Sequence, residues 1–87
     1  MIVTREMVAD RLKGYLLGHW SLEDIVSWAE DVMAEGEIGD KDLEVVRDIT
    51  ARLGLSDVAA FGLTWEDIKE FLERLGYRPK VEFETTV

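Results

Sequence analysis

Cysteine is absent from the 87 residues. Disulfides, thiolate nucleophiles and cysteine-ligated metals are therefore excluded, and packing alone must hold the fold. Asparagine and glutamine are absent too. Charged sequences without these labile amides occur in heat-adapted proteins, and a GC-rich genome produces the same bias. Histidine occurs once, at His19, so no second imidazole completes a metal set. Two of the three serines, Ser21 and Ser56, are placed as helix caps, which leaves no nucleophile and base for a serine hydrolase. The phosphate-cradling patterns G-x-G-x-x-G and G-x-x-x-x-G-K do not occur. No apolar run approaches the ~20 residues of a bilayer span, and Met1-Ile2-Val3-Thr4-Arg5-Glu6 lacks a basic stretch followed by an apolar one. The chain reads as cytoplasmic, with no membrane, cofactor or metal in its chemistry.

Positive charge is also scarce: ten Lys and Arg stand against nineteen Asp and Glu, a formal net charge of −9. Such a field repels phosphate backbones, which excludes nucleic acid as a partner, and steers basic proteins toward the chain. With 47% hydrophobic and 33% charged residues the chain can bury one core and coat it, so a single domain over residues 1–87 is expected.

The periodicity is helical. Thr4 caps a first helix over about Arg5–Leu17 with Val8, Leu12, Tyr15 and Leu16 on its apolar side, and Gly18 stops it. Gly14 inside it lowers helix propensity by about 1 kcal/mol relative to alanine, so it marks either an early end or a close approach by a neighbouring helix. Ser21 with Asp24 has the spacing of a capping box, and Trp20 with Ile25 that of a hydrophobic staple. Leu22, Ile25, Val26, Ala29, Val32 and Met33 then follow one face to Glu35, with Gly36 as the residue after the cap.

A short Gly36–Gly39 connection leads to a third helix, capped by Asp40, with Leu43, Val46, Ile49, Thr50 and Leu53 on its stripe and Gly54 at its end. Ser56 can cap a single turn carrying Val58 and Phe61. Thr64 and Asp67 repeat the capping-box spacing before a fourth helix with Trp65, Ile68, Phe71, Leu72 and Leu75, closed by Gly76. Pro79 bars further helix, and Val81-Glu82-Phe83-Glu84 alternates, so residues 78–87 read as an extended arm or a short strand. The fold class is all-α: a small bundle of four main helices, a short extra turn and a C-terminal arm. The expected core is Leu12, Leu16, Ile25, Val26, Ala29, Val32, Val46, Ile49, Leu53, Ile68, Phe71, Leu72 and Leu75. The two capping boxes lie 43 residues apart; duplication would explain them, and so would good capping chemistry used twice.

Acids cluster at Glu23, Asp24, Glu30, Asp31, Glu35 and Glu37. The run Glu35, Glu37, Asp40, Asp42, Glu44 straddles a glycine-containing loop but lacks the D-x-[DN]-x-[DN]-G ligand order of a calcium-binding helix-loop-helix. Trp28 falls ~40° outside the second helix's stripe. It is either a buried edge residue, the commoner case, or an exposed aromatic with Asp24 and Asp31 a turn away on either side, a residue type enriched at binding hot spots. Val45 carries the same ambiguity on the third helix.

The stretch Tyr15-Leu16-Leu17-Gly18-His19-Trp20-Ser21-Leu22-Glu23-Asp24-Ile25 resembles the opening of small acidic bacterial proteins of the colicin-like immunity group. There a short helix, a glycine-containing break and a Ser-x-x-acid-hydrophobic start recur in all-helical chains. The resemblance covers about an eighth of the chain and implies an all-helical toxin-neutralising protein. No tyrosine pair precedes a proline here, unlike in the nuclease-colicin immunity proteins, and no functional residue carries over. The function expected is a non-enzymatic protein-interaction module, immunity- or antitoxin-like, that meets a basic partner through Glu23, Asp24, Trp28, Glu30, Asp31, Glu35 and Glu37. The alternative is a self-associating homodimeric structural domain.

Overall fold

The computed structural model describes residues 2–39, 41, 43–57 and 62–80. Its four helices are α1 (Arg5–Leu16), α2 (Leu22–Glu35), α3 (Leu43–Leu53) and α4 (Trp65–Arg74). The all-α reading is borne out at this level. Two strands were not expected: β1 (Ile2–Val3) pairs in parallel with β2 (Glu37–Ile38), Ile2 opposite Glu37 and Val3 opposite Ile38. The expected Gly36–Gly39 connection is thus partly strand. Nothing local announces a pair this short, because each strand needs the other's backbone groups, 35 residues away.

The helix starts follow the caps. Thr4 Oγ1 accepts from the Met7 N–H at 3.3 Å. Ser21 Oγ accepts from Asp24 N–H at 3.1 Å while Asp24 Oδ2 accepts from Ser21 N–H at 2.9 Å. Thr64 and Asp67 repeat that reciprocal pair at 3.2 and 3.0 Å. Each box satisfies two amide donors that a helix start leaves without an intrahelical acceptor. The cap expected at Asp40 lies outside the described residues.

The helix ends are less uniform. After α1, Gly18 turns left-handed at φ 81°, and His19 N–H donates to Gly14 O while Gly18 N–H donates to Tyr15 O, the paired closure that a residue with a Cβ resists. The end of α4 at Gly76 closes in the same way. Gly36 differs from expectation: it is extended (φ −75°, ψ 142°), since the chain runs straight from α2 into β2. Ser56 caps nothing among the described residues. It is buried, its hydroxyl donates to Arg52 O at 3.2 Å and accepts from Arg52 Nη1 at 3.1 Å, and Val58 and Phe61 lie outside the described residues.

α2 packs on α3, and α1 touches α2, α3 and α4. One buried cluster unites them, containing every residue of the expected core except Leu16, with Val3, Val8, Ala9 and Trp28 added. Leu16 is 43% exposed. The last turn of α1 buries Gly14 instead, and at about 100° per residue Leu16 stands some 160° round the helix from it. Thr50 is buried without cost to its hydroxyl, which donates to Val46 O at 2.8 Å. Arg52 ties the α3–α4 connection together through Gly62 O at 3.0 Å and Asp67 Oδ2 at 3.4 Å. The alternating segment from Val81 on lies outside the described residues.

Candidate functional site

Of the four helices, α2 alone carries no basic residue. Its Glu23, Asp24, Glu30, Asp31 and Glu35, with Glu37 just beyond, are all exposed. The ion pairs seen elsewhere, Arg52–Asp67 at 3.4 Å and Arg74–Asp48 at 3.1 Å, leave these six acids unpaired among the described residues. They do not form one patch. At ~100° per residue Asp24, Asp31 and Glu35 share a ~40° arc, while Glu23 and Glu30 sit about 100° away. Glu30 leans toward Gly54 at the end of α3, and Glu37 stands on β2.

Trp28 takes the buried of the two positions open to it. It is 8% exposed and belongs to the core, so it is not a projecting anchor. The expected stripe on α2 was too narrow, because α1 also packs there and widens the buried arc. Val45 is half-buried against the same cluster.

Trp28 nevertheless meets solvent-accessible space along one edge. With Asp24, Ser27 and Asp31 it lines the α2 side of a cleft of about 380 Å³. Arg11, His19 and Trp20 line the other side. The Arg11 guanidinium lies 4.6 Å from the centre of the Trp20 ring and 5.2 Å from that of Trp28, so one cation is stacked against two indoles. Arg11 pairs with no carboxylate among the described residues. Room for Trp20 comes from Gly14: a Cβ there would run into the indole. The glycine thus marks a close approach, by a side chain from the α1–α2 break rather than by another helix.

His19 is exposed and borders the cleft. Asp24 is held below the usual aspartate range by the hydrogen bonds from the Ser21 backbone and hydroxyl. It stays ionised across the neutral range. Sequence reasoning missed Arg11 altogether. Its trace was Gly14, one turn on along the same side of α1, whose cost in helix propensity needed an explanation. A second hollow of about 250 Å³, lined by Val32, Met33, Gly36, Ile38, Leu43 and Arg47, carries no comparable set of polar groups.

Among the described residues no group of three or more His, Asp or Glu is placed to hold a metal ion, and no helix is long and apolar enough to cross a membrane. Asp40 and Asp42 of the acidic loop lie outside the described residues. Comparison with family models, with curated proteins and with solved structures finds no match.

Proposed function

We propose that the protein is a cytoplasmic, non-enzymatic interaction module that binds a basic protein partner through the solvent side of α2, in the manner of an immunity protein or antitoxin. The observation that carries this reading is the run of exposed, unpaired acids on a helix without a single basic side chain. Like charges so placed repel one another, and a cationic partner both relieves that repulsion and is drawn in by the field. The reading includes the small-bundle arrangement of the helices and an extended arm over 78–87.

The test is an NMR titration of the intact chain with an arginine- and lysine-rich peptide at low and high salt. Shifts should concentrate at Glu23, Asp24, Glu30, Asp31 and Glu35 and fade as salt rises. Replacing Glu30 and Asp31 with their amides should slow association and flatten the salt dependence. Shifts spread equally over the acids of α4 would refute a dedicated face and leave the charge as a solubility feature.

Exposed Leu16 and Leu17, the latter 72% exposed, support a second reading in which two copies meet at the end of α1. Light scattering on the eluting protein decides between a monomer and that dimer.

A further inference from the structure

We infer that the cleft between α1 and α2 is the seat of one basic side chain from the partner, arginine by preference. This rests on the proposed acidic face and adds to it the position and chemistry of a single contact. The walls suit a flat organic cation. Trp20 and the open edge of Trp28 border it with flat apolar surface, and the carboxylates of Asp24 and Asp31, two turns apart on α2 with Ser27 between them, supply acceptors on one side. A small hydrated metal ion would find no cluster of ligands there among the described residues.

The cleft is built rather than incidental. Gly14 is required for Trp20 to lie where it does, and Arg11 stacks against both rings and so holds their planes. Arg11 also sets the charge that the cleft can accept. The two carboxylates against the one guanidinium leave these three groups a single net negative charge, which one incoming cation neutralises. The open cleft of about 380 Å³ beside Arg11 has room for a second guanidinium. An oxyanion seeking Arg11 would meet the two aspartates that line the same cleft.

Methylguanidinium chloride is the probe, titrated into the isotopically labelled full-length protein at constant ionic strength and read at the three indole N–H resonances. Trp20 and Trp28 should shift saturably, while Trp65, on α4, serves as an internal reference and should not. Asp31→Asn, which leaves the Ser21–Asp24 cap intact, should weaken the affinity about fivefold, the order of one charge-assisted contact at a partly exposed site. Asp48→Asn on α3 should leave it unchanged. The inference is overturned if the three indoles drift together without saturating, if Asp31→Asn has no effect, or if sodium acetate produces the saturable shift. Absence of methylguanidinium binding alongside peptide shifts that still map to α2 would refute the cleft and leave the acidic face standing.

Discussion

Gly14→Ala sets two effects of opposite sign against each other. By intrinsic propensity, alanine in the last turn of α1 should stabilise the chain by up to about 1 kcal/mol. The new Cβ, however, would collide with the Trp20 indole, so the ring must leave. Trp20 is 37% exposed. Covering nearly two-thirds of a ~250 Å² side chain is worth at most ~4 kcal/mol at ~25 cal/mol/Å², because the unfolded chain already shields part of it. If the displaced ring loses half of that contact, the cost is about 2 kcal/mol, and losing the Arg11 stack adds about 0.5–1 kcal/mol. The net expectation is destabilisation by about 1.5–2 kcal/mol, or several degrees in Tm for a chain of this size. Urea unfolding followed by helical circular dichroism measures it. The decisive arm is the same substitution in a Trp20→Ala background, where the collision is gone and Gly14→Ala should stabilise by up to about 1 kcal/mol. Stabilisation in both backgrounds would refute the close-approach argument.

Two further outcomes follow from the packing and the caps. Trp28→Ala should cost about 3–5 kcal/mol of stability through the cavity it leaves in the core, visible as a large drop in the urea midpoint, and a loss below about 1 kcal/mol would contradict its place there. Asp24 and Asp67 both titrate below their usual value, chiefly through hydrogen bonds from Ser21 and Thr64, with Arg52 adding attraction at Asp67. Their contribution is therefore complete above the unfolded aspartate value of about 4 and is lost as pH falls through the lowered folded values. The double variant Asp24→Asn/Asp67→Asn should lower the urea midpoint at neutral pH and flatten its decline below about pH 4. An acid branch as steep as in the parent chain would mean that other carboxylates govern acid unfolding.

The four helices and most of the core could be read from the residues because their causes are local. Ser21 with Asp24 and Thr64 with Asp67 close hydrogen bonds within a few residues, and stripes such as Ile25, Val26, Ala29 and Val32 need only the helical repeat to place them on one side. The acidic character of α2 is equally local, since the composition of one segment sets it. Which surroundings the side chains meet was decided by tertiary packing. The helical repeat already parts Glu30 from Asp31, but it was α1 against α2 that turned Trp28 inward, put Asp31 on the cleft and left Leu16 exposed.

The same packing assembled the cleft from two helices and the break between them. Arg11, Trp20 and Trp28 are up to 17 residues apart, so no single helical period connects them. The pairing of Ile2–Val3 with Glu37–Ile38 is the extreme case. Two residues carry too little pattern to mark a strand, and each becomes one only when α1 and α2 have brought the other alongside to satisfy its backbone.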